Sequence, residues 1–469
     1  MLVLMENILH GYMYNGVLAI IVCILVFSSL RSCLPSVLGH EGGSVDDRQY
    51  YFKSLSSTPD GINYATAGRT DIPYLQQYCK NLKGSIKGQE GKSRTEYQLK
   101  QVHIILTPSE RIFDTHPLGS KRDDKSRCSF KPNSDLGHKI NSFIETADIY
   151  KNVQRYKGAF KNYDLVPSSF PCRVGQLTSA GASGMIEIGE FLSHPYLADR
   201  EMGKHLGEDH ISVFSAVTEH AYQSTTAFLH GLLPEKLFAK TVVRKSLANF
   251  CSEESDVMSC HCHKTLSLEE NITESLNLDR ADFDRHGVKL RGSFYQFLND
   301  LCHSNENSRK NPLAKSDFTH DDVEQFINAS GNYVSDFLKK AYMVSFATLY
   351  TYPFITSLTK RMKNNDADDK KIFIYMADEL FWYAMISSLD VPHVLAPGSR
   401  LIFEIYEDGN TGKHYMRTLL NGDVLKNNRT LCSVIPNGDL CLLSDFEQTR
   451  RRTFETLFSK NTYENICGG

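Results

Sequence analysis

Short apolar runs that stop at turn-forming residues predict the strands of this chain. Residues 101–106 read Gln-Val-His-Ile-Ile-Leu, which is typical of a buried strand, and Pro108 ends the run in a polar loop. Residues 371–375 form a second such run. Residues 401–406 and 415–420 flank an Asp-Gly turn and predict a hairpin. Because ligands of open α/β sheets bind just past the carboxyl ends of strands, we expect a site near Pro108.

Apolar residues at helical spacing predict long helices between these strands. Thr178 is expected to cap one of them, because its hydroxyl can accept a hydrogen bond from the first turn. Pro353 is expected to kink or break another. The predicted helices cover residues 138–156, 178–192, about 212–231 and 332–362. Strands that alternate with helices indicate an α/β fold.

The N-terminal segment predicts a membrane anchor. Residues 7–30 contain no Lys, Arg, Asp or Glu, and Val17–Phe27 is an unbroken apolar run. No small-x-small cleavage site follows, which favours an uncleaved signal anchor over a cleaved signal peptide and a secreted protein. We therefore divide the chain into 1–33, a short N-terminal segment with the signal anchor, 34–75, a stalk, and 76–469, a lumenal domain. The net charge of −3 argues against a nucleic-acid partner held by charge.

Cysteines and glycosylation sequons predict an oxidising lumen. The chain has 12 Cys, an even number, which in an exported protein indicates disulfides. Cys251, Cys260 and Cys262, with two neighbouring His, also have a zinc-like spacing. The export context favours disulfides there, and we predict neither a metal nor a cofactor. Three Asn-x-Ser/Thr sequons predict glycosylation at Asn271, Asn328 and Asn428.

Several motifs of the chain resemble those of the histidine acid phosphatases. They are Gly175-Gln-Leu-Thr-x-x-Gly181, Phe228-Leu-His-Gly-Leu-Leu-Pro234 and Ser399-Arg-Leu-Ile-Phe-Glu-x-x-x-Asp408. The resemblance implies a three-layer α/β core with a helical, disulfide-containing cap. Within the family the likeness is strongest to Golgi type II members that remove phosphate from xylose in glycosaminoglycan linkage regions. That likeness lies in Phe250-Cys251, Cys260-His-Cys262, Cys302-His303 and Asn421-Gly422.

The resemblance also predicts where the active site would lie. After its first strand the family carries Arg-His-Gly-x-Arg, whose His attacks phosphorus. Here Thr107, Pro108 and Ser109 stand in place of Arg-His-Gly, and only the final residue, Arg111, is retained. By the same alignment Asp378 replaces a second phosphate-binding His, and Glu379 replaces the proton-donating Asp. A further phosphate-binding Arg, at the start of the helix predicted near 212, would be Phe214.

These departures predict a family member without phosphatase activity, with a binding or regulatory role. Pro108 offers no nucleophile, and Asp378 places a carboxylate where the phosphate would bind. Arg111 either pairs with the facing carboxylates or binds a ligand. The expected partners are a phosphorylated glycan or glycosaminoglycan linkage region, or an active phosphatase or glycosyltransferase relative. The alternative is an active phosphomonoesterase that hydrolyses phosphorylated xylose or another phosphomonoester, with a site rebuilt around Thr107, Ser109 or His116 and with Glu110 as the base beside the hydroxyls.

One charged run leaves two interpretations open. Arg450, Arg451 and Arg452 are consecutive, which would suit contact with an anionic glycan or a solvated helix face.

Overall fold

The computed structural model describes residues 88–92, 96–112, 135–150, 160–168, 172–198, 206–245, 338–363, 371–391, 397–426, 430–433, 439–459 and 461–467, with a few isolated positions between 262 and 289. Among these residues no helix is both long and apolar enough to cross a bilayer. The predicted anchor, the stalk, most of the predicted cap, the three sequons and His116 lie outside the described residues.

The described elements alternate between strands and helices, as predicted. The strands are β1 (Tyr97–Leu106), β2 (Ile211–Ser215), β3 (Val243–Lys245), β4 (Asp284–Arg285), β5 (Val288–Lys289), β6 (Ile372–Met376), β7 (Arg400–Asp408), β8 (His414–Leu420), β9 (Asp423–Val424) and β10 (Cys441–Leu442). The helices are α1 (Asp135–Tyr150), α2 (Ser179–Ser193), α3 (Glu219–Leu232), α4 (Glu235–Phe238), α5 (Ala341–Lys363), α6 (Glu379–Ser388), α7 (Leu443–Leu457) and α8 (Tyr463–Cys467).

The main sheet has β1 at its centre. Its strand order is β10-β8-β7-β1-β6-β2-β3, with β9 paired to β8. The neighbours β1, β6, β2 and β3 run parallel, whereas β7 is antiparallel to both β1 and β8. The predicted strands near 101–106 and 371–375 and the predicted hairpin are therefore confirmed. Because the four parallel strands share a direction, their carboxyl ends meet at one edge of the sheet.

Helices cover both faces of this sheet. Alternate residues of β1 point to opposite faces, so Val102, Ile104 and Leu106 pack with α1, α2 and α3. On the other face Ile105 packs with α5, α6 and the start of α7. A sheet buried on both faces explains why β6 and the second half of β1 are mostly apolar in the sequence. The molecule is thus the expected three-layer α/β structure.

Some helix predictions need correction. The helix expected at about 212–231 begins only at Glu219, because Ile211–Ser215 is fully buried and pairs with β6 as strand β2. Phe214 therefore lies within the sheet, where its ring stacks on Tyr375 at a centroid distance of 5.5 Å. The helix α5 continues through Pro353, so the break that was one of the two expected outcomes does not occur.

The arginine run is neither wholly solvated nor wholly available to a glycan. Arg450 is buried and donates to the carbonyl of Ser388 at 2.6 Å, at the C-terminal end of α6. A cation is favourable there because the helix dipole is negative at that end. Burial lowers the pKa of Arg450 to about 10. Arg451 is exposed and pairs with Glu455 at 2.8 Å.

A buried ionic network fastens residues 88–92, the N-terminal clasp, onto the sheet. Glu404 of β7 is fully buried and accepts four hydrogen bonds. Their donors are Gly91 N at 2.6 Å, and Tyr196 Oη, Tyr406 Oη and Arg417 Nε, each at 2.8 Å. A second buried pair joins Glu90 to Arg400 at 2.8 Å. The Ser-Arg-Leu-Ile-Phe-Glu motif is therefore a structural motif that holds the clasp.

One described disulfide joins residues 205 positions apart, and another closes a short loop of 9 positions. Cys262 pairs with Cys467, and Cys432 pairs with Cys441; Cys172 is also disulfide-bonded. The pairing of Cys262 confirms the predicted disulfide use at that position, where zinc was the alternative.

Candidate functional site

The candidate site lies where three parallel strands end side by side. Ala377, just after β6, donates to the carbonyl of Leu106 at 2.7 Å. Ala216, just after β2, donates to the carbonyl of Met376 at 2.9 Å. The loop that begins at Thr107, the segment that contains Asp378 and the turn that leads to α3 therefore leave the sheet at the same edge. The predicted positions 107–111 and 378–379 are brought together, as the resemblance implies.

The loop 107–111 is fixed by its own backbone and by α2 and α3. Thr107 is buried, and its amide and its hydroxyl both donate to the carbonyl of Ser399, at 2.9 and 3.4 Å. Its hydroxyl is thus directed to the scaffold. The Ser109 amide donates to Ser224 Oγ at 3.1 Å, and Glu110 accepts from the Thr178 amide at 2.9 Å. Pro108, at the tip of this loop, carries neither a nucleophilic atom nor a donor.

The start of α2 comes so close to the loop that only glycine fits at one position. A Cβ on Gly181 would lie 2.9 Å from the carbonyl oxygen of Glu110. Thr178 caps α2 as predicted, because its hydroxyl accepts from the Gly181 amide at 2.9 Å. The Gly-x-Leu-Thr-x-x-Gly motif therefore sets the distance between the helix and the loop.

Asp378 caps the helix that follows it. Its carboxylate accepts from the Phe381 amide at 2.7 Å, so the free amides at the start of α6 already have an anionic partner. Desolvation by the surrounding protein raises the pKa of Asp378, although backbone hydrogen bonds from Phe381 and Leu380 act in the opposite direction. Asp378 and Glu379 both keep exposed surface. The predicted second phosphate-binding position is thus occupied by a carboxylate that binds its own helix.

His220 is a site residue that sequence reasoning missed. It lies in the first turn of α3, on the same helix face as Gln223 and Ser224, whose side chains accept hydrogen bonds from the amides of Leu177 and Ser109. His220 thus faces the loop 107–111. The family's phosphate-binding Arg is expected at the start of this helix, which in this chain is Glu219–His220 and not Phe214.

The imidazole of His220 is held neutral. Burial, followed by the positive charge of Arg111, lowers the pKa of His220 to about 3. Part of the His220 side chain remains accessible. Among the described residues neither ring nitrogen has a hydrogen-bond partner.

Next to His220, Glu219 belongs to a rim of paired charges. Arg173 binds Glu219 at 2.5 Å and Asp164 at 2.6 Å. The loop 107–111 and the first turn of α3 bring Arg111 and a neutral imidazole to the edge of the sheet where Asp378 and Glu379 also lie. This arrangement can form hydrogen bonds of both directions, but it does not concentrate positive charge as a phosphate site does.

Comparison with known proteins places this site in a family. The model of the histidine phosphatase superfamily (branch 2) matches residues 131–421, a range that contains Asp378 and Glu379 but begins after the loop 107–111. A curated relative, 2-phosphoxylose phosphatase 1 of Danio rerio, is 19% identical over 444 residues, which cover 83% of this chain and 86% of the relative. This relative is of the kind that the sequence motifs indicated.

Solved structures of phytases are also similar. The phytase from D. castellii aligns over 82% of this chain and 85% of its own, with 16% identity and a TM-score of 0.48. A Hafnia alvei phytase in complex with tartrate aligns over 78% of this chain and 99% of its own, with 15% identity and a TM-score of 0.44. With the family model spanning more than half of the sequence, this chain belongs to branch 2 of the histidine phosphatase superfamily.

Proposed function

We propose that this protein is a non-catalytic member of the histidine phosphatase superfamily that binds a xylose-containing glycan in the Golgi lumen. The observation that carries the proposal is that Pro108 and Asp378 lie on segments that leave the same edge of the sheet. Pro108 lacks the attacking group, and the carboxylate of Asp378 occupies the N-terminal end of α6. The two changes act on chemistry and on binding separately, so reversing one would not restore activity.

The charges explain why phosphate would bind poorly. At ~4 Å and an effective dielectric constant of about 20, one unit charge changes the binding energy of another by roughly 4 kcal/mol. Thr107 supplies no cation at the loop, and Asp378 adds an anion at neutral pH. Among the described residues of the loop 107–111 and the first turn of α6, the guanidinium of Arg111 is accompanied by the carboxylates of Asp378 and Glu379, so a dianionic phosphate gains little from this site.

The glycan class follows from the curated relative. Its name states that it is a phosphatase of 2-phosphoxylose, and this chain has a similar sequence over most of its length. Cys172, Cys262, Cys432, Cys441 and Cys467 are disulfide-bonded, which suits a secretory compartment. A type II orientation with residues 7–30 as the anchor would place the domain in the lumen.

A working phosphomonoesterase is the alternative, and His220 is the observation that favours it. A neutral imidazole is the form that can attack phosphorus, and His220 faces the loop where the family's nucleophile would lie. Against it, His220 lies on α3 and not on the loop, and Thr107 stands where the family's loop arginine would lie.

Turnover of p-nitrophenyl phosphate by the purified full-length protein tests the proposal at acidic and neutral pH. The expected result is the same rate for the wild type and for a His220→Ala variant, at the level of buffer alone. Wild-type turnover that His220→Ala or Thr107→Val abolishes would refute the proposal and identify a rebuilt active site. Glu407→Gln is the matched control for purification and contaminating activity, because Glu407 lies at the end of β7 that is far from the site.

A further inference from the structure

We propose that this site selects the unphosphorylated xyloside over its 2-phosphate, with His220 and Asp378 as the specificity-determining residues. The inference rests on the proposed function and extends it from a glycan class to one chemical form of the sugar. The protein would then bind the product of a phosphatase reaction in preference to its substrate.

His220 provides an unused hydrogen-bonding group beside the loop 107–111. Its helix neighbours Gln223 and Ser224 are engaged by backbone amides of the two adjoining loops, at 2.8 and 3.1 Å. His220 has no hydrogen-bond partner among the described residues, and part of its side chain is accessible. A ligand at this edge of the sheet can therefore form hydrogen bonds with its imidazole.

A neutral imidazole matches a hydroxyl group better than a phosphate. One ring nitrogen donates and the other accepts, and a sugar hydroxyl can satisfy either. A phosphate dianion needs donors only, and it meets a lone pair at one of the two nitrogens. An arginine at this position would have offered donors alone. The replacement therefore turns a group that attracts anions into one that suits an uncharged polyol.

Asp378 and Glu379 act in the same direction. Carboxylates accept hydrogen bonds from sugar hydroxyls, whereas they repel phosphate oxygens. Asp378 cannot turn away from the site without losing its 2.7 Å hydrogen bond to the Phe381 amide, so its charge is held in place. The carboxylates of Asp378 and Glu379 offset the attraction that the guanidinium of Arg111 has for a phosphate, so the described part of the site discriminates by charge.

Calorimetric titration of the full-length protein with methyl β-D-xylopyranoside and with its 2-phosphate tests the inference. The wild type is expected to bind the xyloside at least tenfold more tightly than the 2-phosphate. Asp378→Asn should keep the helix cap, because Asn caps as well as Asp, but remove the charge and narrow that ratio several-fold. His220→Ala should weaken xyloside binding about tenfold, whereas Glu407→Gln should leave both affinities unchanged.

The outcomes separate the inference from the proposed function. Release of inorganic phosphate from the 2-phosphate would refute the non-catalytic function itself. Equal or tighter binding of the 2-phosphate without release would overturn the selectivity alone, and so would an unchanged ratio in Asp378→Asn. Lack of binding to both probes would also overturn it. His220→Gln retains a donor and an acceptor, so it should recover part of the xyloside affinity that His220→Ala loses.

Discussion

Replacing Glu404 with Gln should destabilise the domain severely. The two side chains have nearly the same shape, but the amide nitrogen of Gln is a donor. Each oxygen of Glu404 accepts two hydrogen bonds, so wherever the amide nitrogen points it faces two other donors. The substitution also leaves the guanidinium of Arg417, only 5% exposed, without its carboxylate.

The expected loss is about 3–5 kcal/mol of unfolding free energy. Breaking a buried ion pair by removing one partner typically costs about 3–5 kcal/mol. Arg417 keeps its hydrogen bond to the Gln89 carbonyl at 2.5 Å, which limits the loss to that range. Since a typical domain is stable by about 5–15 kcal/mol, this single change would remove a large share of the stability.

Glu407→Gln is the matched control on the same strand. Glu407 pairs with Lys100 at 2.6 Å, but its side chain is 32% exposed. Exposed pairs contribute about 0–1 kcal/mol, so the loss should be below about 1 kcal/mol. The same chemical change is thus made in a buried and in an exposed ion pair of β7.

Urea unfolding followed by tryptophan fluorescence measures both variants. The chain has 1 Trp, Trp382, and it is fully buried in α6, so the signal reports on the core. A Glu404→Gln variant within about 1 kcal/mol of Glu407→Gln would show that the clasp network contributes no more than a surface pair, and would refute the reasoning.

Three further predictions concern the site. Because the pKa of His220 is about 3 when folded and about 6.5 when unfolded, the unfolded chain binds more protons between these values, and stability should fall as the pH drops from about 6.5 toward 3. Between pH 7 and pH 5 the unfolding free energy of the wild type, measured in urea titrations, should fall by about 2 kcal/mol more than that of His220→Asn. Equal decreases would contradict this prediction. Gly181→Ala should destabilise the domain by about 1–3 kcal/mol in the same assay, because its Cβ would meet the loop backbone at 2.9 Å; an unchanged midpoint would show that the loop yields. Adding Asp378→His to the Thr107→Arg, Pro108→His double variant should raise p-nitrophenyl phosphate hydrolysis above that of the double variant, and a triple variant no faster than an active double variant would show that the carboxylate does not oppose phosphate.

The sequence predicts correctly those strands and helices whose hydrophobic pattern fits only one kind of secondary structure. Residues 101–106 and 371–375 are mostly apolar because helices cover both faces of the sheet. Thr178 is recognisable as a cap because the apolar stripe of α2 starts directly after it.

Other features depend on partners that are distant in the chain. Val213 and Val217 have helical spacing as well as strand character, and only pairing with β6 decides that residues 211–215 form a strand. His220 could not be identified as a site residue from the sequence, because the pattern predicts a helix that begins near 212, whereas α3 begins at Glu219. The role of Glu404 was likewise hidden, because its donors Gly91 and Tyr196 lie 313 and 208 residues away.

The central position of β1 has a consequence for how the protein is made. This strand is synthesised first among those of the main sheet, but its neighbours β6 and β7 follow about 270 and 300 residues later. At roughly 5–20 residues per second, the ribosome needs on the order of 15–50 s to produce the first of these neighbours. During that time Val102-His-Ile-Ile-Leu106, with two unpaired edges and high β propensity, is exposed to aggregation and would benefit from a chaperone.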